Sequence, residues 1–188
     1  MVRFFKRSLV VTAVIGVFAG FALALTAEKL DQVTTTDSFC TGCHTMQTMA
    51  EQQVYKNSKH RTTSSGVRAG CADCHVPKGL LASTWAHLYD GSRDLIAEWT
   101  SNHTPETWKA RRVQLAYRVR DWMLSNDSRT CRSCHTDRFK PKRERGQRQH
   151  ELARRNKITC IGCHFDLVHS PVRPRQSFLE KVQVRPKR

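Results

Sequence analysis

All eight cysteines of the chain fall into four copies of one short pattern: Cys40/Cys43/His44, Cys71/Cys74/His75, Cys131/Cys134/His135 and Cys160/Cys163/His164. Two cysteines at this spacing can each form a thioether with one porphyrin vinyl group, and the histidine that follows is then held beneath the iron. Zinc ribbons also use paired Cys-x-x-Cys, but they do not need a histidine after every second cysteine. A disulfide framework built from such closely spaced cysteines would be an odd way to cross-link distant segments. The pattern therefore reads as four covalently bound haem c groups, whose porphyrins supply apolar bulk that the side chains lack.

The second iron ligands must come from elsewhere. Of nine histidines, five do not follow a cysteine: His60, His87, His103, His150 and His169. Sixteen steps separate His44 from His60 and eleven more lead to Cys71; fifteen separate His135 from His150 and ten more lead to Cys160. This near-repeat describes two dihaem halves, and it nominates His60 and His150, with His169 just after His164, as distal ligands beside His75, His135 and His164. His103 is a further candidate. Three distal histidines for four haems leave one haem different, and Met46, two residues after His44, points to the first. Methionine ligation would raise its potential relative to two histidines.

Several elements must position these groups. Arg3, Lys6 and Arg7 precede twenty uncharged residues from Ser8 to Ala27, enough for a helix to cross a bilayer, with the positive flank holding the N-terminus in the cytoplasm. A cleaved signal peptide is the alternative, and Ala22-Leu23-Ala24 would serve as its small-residue site, but the apolar run exceeds an ordinary signal core. Gly16 and Gly20 form a G-x-x-x-G pair that would admit a second helix and so a homo-oligomer. The expected organisation is a stub and anchor over 1–27, a linker over 28–38, and a tetrahaem domain over 39–170. Its halves, about 39–76 and 130–170, are joined by a helical segment over 77–129, and a basic tail covers 171–188. The fold class is mainly α with extensive loops, plus one transmembrane helix.

Within the joining segment, Thr104-Pro105-Glu106 reads as an N-cap with proline at the first helical position. Trp108, Leu115, Val119 and Trp122 then recur at helical spacing up to about Ser125-Asn126-Asp127, with the arginines at 111, 112, 118 and 120 largely on other faces. A second helix over Leu80 to Thr100 is expected. The tail, with Pro171, Pro174 and Pro186, is expected to be extended.

The net charge is +16, with 32 Lys and Arg against 16 Asp and Glu. Haem propionates cancel part of this, and the remainder would steer an acidic partner. Haem attachment and export leave no role for nucleic acid.

The pattern resembles the NapC/NirT family of membrane-anchored tetrahaem quinol dehydrogenases. The resemblance rests on the N-terminal anchor, Cys40-x-x-Cys43-His44-x-Met46, and Ser58-Lys59-His60 through Ser65-Gly66-Val67-Arg68-Ala69 to Cys71-Ala72-Asp73-Cys74-His75-Val76-Pro77. Asn126-Asp127-Ser128 before Cys131 and Thr159-Cys160-Ile161-Gly162-Cys163-His164 through His169 complete it. It implies that Met46 binds the first iron in place of His44, beside a quinol site guarded by the acidic residue of Gly91-Ser92-Arg93-Asp94. Where the family has a quinol-contacting lysine this chain has His87, with Lys78 as a substitute. The implied activity is oxidation of menaquinol or ubiquinol from the membrane pool. Electrons would then go to a periplasmic reductase of the nitrate or nitrite type, from a bacterial inner-membrane protein with its haem domain in the periplasm. The competing reading is a soluble or anchored periplasmic electron carrier with no quinol site of its own.

Overall fold

The computed structural model describes residues 2–101, 104–136 and 140–183, with side chains from Ser8 to Val182. His103, one of the ligand candidates, lies outside them, as do Pro186 and the side chains of Arg3, Lys6 and Arg7. The described chain is helical and irregular, with no strand among its described residues, in agreement with the mainly α expectation.

Helix α1 runs without a break over Val2–Thr34, so the segment expected as a linker continues the anchor. Apolar residues cover its surface, and three hydroxyls within it fold back on carbonyls four residues earlier: Thr12 on Ser8 at 3.0 Å, Thr26 on Ala22 at 2.9 Å and Thr34 on Leu30 at 2.9 Å. These bonds satisfy polar groups that lipid cannot. Ser8–Thr34 is long and apolar enough to cross a membrane.

Short helices carry the first two motifs: α2 (Asp37–Cys40), α3 (His44–Glu51), α4 (Gln53–Lys56) and α5 (Cys71–His75). Leu80 to Thr100 is helical as expected, but in three parts. Helix α6 (Leu80–Ala86) passes through a π-helical turn (His87–Gly91) into α7 (Ser92–Thr100). Such one-turn insertions recur at functional sites. Helix α8 (Pro105–Ser125) begins where the sequence places it, with the Thr104 hydroxyl accepting from Thr107 N at 3.2 Å. Helices α9 (Arg129–Arg132) and α10 (Glu144–Arg155) and a 3-10 turn at Cys160–Gly162 carry the other two motifs.

Two expectations change. The tail is not wholly extended: Gln176–Gln183 forms helix α11, and its Phe178 is only 2% exposed. Phe178 and Val182, four residues apart, pack against Met123, Leu124 and Ile161 in the one apolar core cluster of the described residues. The arginines of α8 are not all solvated either. Arg120 is buried, bonds Asp166 at 2.6 Å and the Val172 carbonyl at 2.8 Å, and lies over the Phe165 ring. Arg111 reaches Ser101 Oγ at 2.7 Å and Arg112 the Ser170 carbonyl at 2.7 Å. A long side chain with five donors can tie several loop carbonyls at once, and that is how this helix anchors the surrounding loops.

Candidate haem sites and the first motif

The motifs are pinned to one another in pairs by similar devices. Asp37, three residues before Cys40, accepts from Cys71 N at 2.7 Å and from Arg61 at 2.7 Å. Burial opposes its ionisation, but the bonds from Cys71 and Arg61 prevail and hold its carboxyl below the ordinary range. The contact is close: a Cβ on Gly70 would stand 2.8 Å from Asp37 Oδ1, so any larger residue there would have to displace the Asp37 carboxylate. Ser128, three residues before Cys131, repeats the arrangement. Fully buried and in the left-handed region at φ 51°, it bonds Thr159 Oγ1 at 2.7 Å and accepts from Ile161 N at 3.1 Å. The near-repeat read from histidine spacing thus has a counterpart in contacts.

The eight cysteines, all expected to attach haem, differ in exposure. Cys40, Cys71, Cys74, Cys131 and Cys160 are half-buried, whereas Cys134 is exposed, as are Cys43 and Cys163. All eight thiols are free in this structure. The difference in exposure at the third motif has a local reason. Helix α9 ends at Arg132, so Cys134 stands beyond the turn that buries Thr130 and half-buries Cys131, with its thiol 3.9 Å from the neighbouring Ser133 hydroxyl. Cys43 likewise precedes α3 and Cys163 follows the 3-10 turn. Cys74, inside α5, is the exception among the second cysteines. Burial, followed by the nearby Cys131, pushes its thiol up to about 11.

Three pairs of imidazoles face one another. Ring centroids are 6.1 Å apart for His60 and His135, 6.0 Å for His75 and His169, and 5.9 Å for His150 and His164. An imidazole–metal–imidazole axis with bonds of ~2 Å places the centroids roughly 6 Å apart, so each pair leaves the space one iron needs. The interplanar angles of 75°, 48° and 33° are compatible, because rotation about such an axis is free. Two of the pairs cross between the stretches expected as halves: His60 meets His135, and His169 meets His75.

Ligation requires neutral imidazole, and the surroundings favour it. His75 keeps solvent access, yet the protein around it, followed by the neighbouring His169, lowers its imidazole. The surrounding protein also lowers His60, His164 and His169, with the partner imidazoles adding to it at His60 and His164. No three His, Cys, Asp or Glu side chains converge as a zinc centre would require among the described residues.

His44 faces no other described imidazole. It opens α3, with Met46 40% exposed on the same helix. Glu98 of α7 accepts from the Thr45 backbone N–H at 3.1 Å and from the Thr45 hydroxyl, which seats α7 against the first motif. Asp94 lies one helical turn before Glu98 and so on the same face. Its side chain keeps solvent access, yet the protein around it, followed by the like charge of Asp90, raises its carboxyl against the pull of Arg111, Arg118 and Arg93.

The other two catalytic candidates have partners of their own. His87 Nδ1 lies 2.9 Å from the Ser83 carbonyl and Nε2 lies 3.2 Å from the Thr34 carbonyl, so it clasps α6 to the end of α1. Ser83, buried, adds a bond to Asp31 of α1. The Phe39 ring stands edge-on 6.5 Å from His87, which puts that clasp beside Cys40. Lys78 is paired with Asp73 at 2.7 Å. Sequence reasoning missed Glu98, Asp31, Ser83 and the tie made by Asp37. Each acts on a residue at least 34 positions away, and no local pattern announces it.

Four Cys-x-x-Cys-His motifs, with three pairs of imidazoles about 6 Å apart, define a multihaem c-type cytochrome. The sequence model of the NapC/NirT cytochrome c family, N-terminal region, matches residues 3–174, and the chain belongs to that family as a tetrahaem cytochrome c of electron transport. It is 36% identical over 170 residues to the cytochrome c-type protein TorC of Escherichia coli K12, covering 87% of this chain and 43% of TorC. The chain thus spans under half the length of that relative. It is 35% identical over 164 residues to the denitrification system component NirT of Stutzerimonas stutzeri, covering 83% of this chain and 79% of NirT. A putative tetrahaem cytochrome of Allochromatium vinosum is 41% identical over 148 residues, 76% of this chain and 79% of its own. No solved structure matches.

Proposed function

We propose that this chain is a membrane-anchored quinol dehydrogenase that takes electrons from quinol beside the first motif and passes them to a periplasmic terminal reductase. The observation that carries the reading is the seating of α7 on that motif by Glu98, with Asp94 one turn away and the end of α1 clasped to α6. In bound form, haem supplies reversible one-electron acceptance at iron. The chain contributes a carboxylate, Asp94, at the place where a lipid-soluble donor would arrive, to accept the protons a quinol must release. His87 and Lys78 support that region through the bonds already described, which leaves Asp94 as the proton acceptor.

The proposed ligand set pairs His75 with His169, His135 with His60 and His164 with His150, a reading supported by the ring spacings, and keeps Met46 at the first iron as the family resemblance implies. His60→Ala, His150→Ala and His169→Ala are each expected to convert one low-spin haem to high spin, read by absorption and EPR spectra. Met46→Leu should alter a single haem and slow quinol oxidation. A Met46→Leu protein with an unchanged spectrum would remove that assignment.

Helix α10 carries His150 and exposes Arg145, Arg148, Arg154 and Arg155. It forms a basic surface beside the fourth motif suited to an acidic reductase. The direct test uses holoprotein in vesicles with a menaquinol or ubiquinol analogue. Haem reduction without added mediator is the expected result, and a chain that dithionite reduces but no quinol reduces is a carrier only.

A further inference from the structure

The segment from Leu80 to Thr100 is amphipathic in the opposite sense from a helix of a soluble domain. On α6 the buried residue is a serine, Ser83, which is 3% exposed, while Leu81 is 86% exposed and Trp85 67%. Leu88 and Tyr89 extend this apolar side through the π-helical turn, and Ile96 and Trp99, the latter 78% exposed, continue it along α7. The inward side holds Ser83, His87 and Glu98, which bond α1 and the first motif. Polar contacts face the protein, and the large apolar residues face away from it.

The clasp to α1 sets the height of this arm. If the uncharged stretch ending at Ala27 fills the hydrocarbon core, Asp31 and Thr34 stand ~6 and ~10 Å above its edge at 1.5 Å per residue. The headgroup layer is roughly 5 to 8 Å thick, and a side chain of tryptophan size reaches back across much of it. The residue types agree with that depth. Trp85 and Tyr89 stack at 6.2 Å, and Arg93 lies 5.5 Å from the Tyr89 ring, the combination of amphipathic aromatics and a cation that collects at lipid interfaces.

We propose that α6, the π-helical turn and α7 form an interfacial arm that lies on the same bilayer α1 crosses, with Leu81, Trp85, Leu88, Ile96 and Trp99 in the boundary between headgroups and acyl chains. The occupant of the apolar face is lipid. The arm rests on the reading of α1 as a membrane anchor, but it requires no quinol chemistry.

Because every native cysteine belongs to a haem motif, a cysteine added to the holoprotein offers the only thiol for a spin label. Leu88→Cys and Trp99→Cys would be labelled in full-length protein in vesicles of phosphatidylcholine and phosphatidylglycerol. Leu23→Cys in α1 and Gln147→Cys on α10 serve as the deep and aqueous references. Collisions with oxygen and with a water-soluble nickel chelate report depth by power-saturation EPR. Labels at 88 and 99 are expected to meet oxygen several-fold more than nickel, to a lesser degree than at 23 and opposite to 147. A deep label at 23 with water-like labels at 88 and 99 overturns the arm alone. Labels at 88 and 99 shielded from both reagents also overturn it, in favour of a protein partner. A water-like label at 23 removes anchor and arm together.

Discussion

Asp94→Asn is expected to slow quinol-driven reduction of the holoprotein by about 10²-fold or more, the usual effect of losing a positioned proton acceptor. All four haems should remain attached and reducible by dithionite. The side chain keeps its shape but can no longer take a proton, so a fall in rate without a change in spectrum isolates the proton step. The pH dependence follows from the direction of the shift. The protein around it, then Asp90, raises the Asp94 carboxyl, so it stays protonated to higher pH than an ordinary aspartate, and only its anion can accept from quinol. The rate should therefore rise with pH through this raised value and lose that limb in Asp94→Asn. For stability the sign is opposite: the folded chain holds this proton more tightly than the unfolded chain, so this group opposes folding as pH rises past the ordinary aspartate range. Equal rates for the two proteins across pH would end the assignment of Asp94.

Phe178→Ala is expected to destabilise the holoprotein by about 3–5 kcal/mol, measured as the shift of the denaturant midpoint followed by circular dichroism. Phe178 is nearly inaccessible, packs edge-on to Phe165 at 6.3 Å, and joins α11 to the end of α8 and the fourth motif. Its removal leaves a cavity where three segments meet. Glu180→Ala, on the exposed side of the same helix, should cost within about 0.5 kcal/mol. If Phe178→Ala matched Glu180→Ala, the tail would contribute nothing to the fold.

How legible these features were depended on how far apart the cooperating residues lie. Four Cys-x-x-Cys-His motifs, the uncharged run after Ser8 and the Thr104-Pro105 helix start were legible because each is encoded within a few residues. The motif itself treats Cys131 and Cys134 alike, and only the end of α9 between them makes one half-buried and the other exposed. Spacing singled out His60, His150 and His169, but it could not say that His60 would face His135 across half the chain, since that choice is made by packing. Helix α11 was hidden for a different reason. Pro171, Pro174 and the basic residues suggest an open chain, and Phe178 and Val182 cover too short a stretch to outweigh them without α8 in view. The role of Glu98 was hidden because it lies in its bond to Thr45, 53 residues away. The apolar side of α6 and α7 was present in the sequence as scattered Leu, Trp and Ile. Only the burial of Ser83 shows which side is turned inward.

The crossed imidazole pairs also bear on how the protein is assembled. With iron held between them as proposed, His60–His135 and His75–His169 would close loops of roughly 75 and 95 residues, each limiting the unfolded chain by on the order of 4 kcal/mol in the manner of a long-loop disulfide. The apolar core of the described residues is one small cluster beside α8. Maturation is then more than the loading of a finished scaffold, because each metal that finds its second imidazole staples distant parts of the chain together. Under the proposed ligand set the second motif would complete its ligation only once His169, near the other end of the haem domain, has followed.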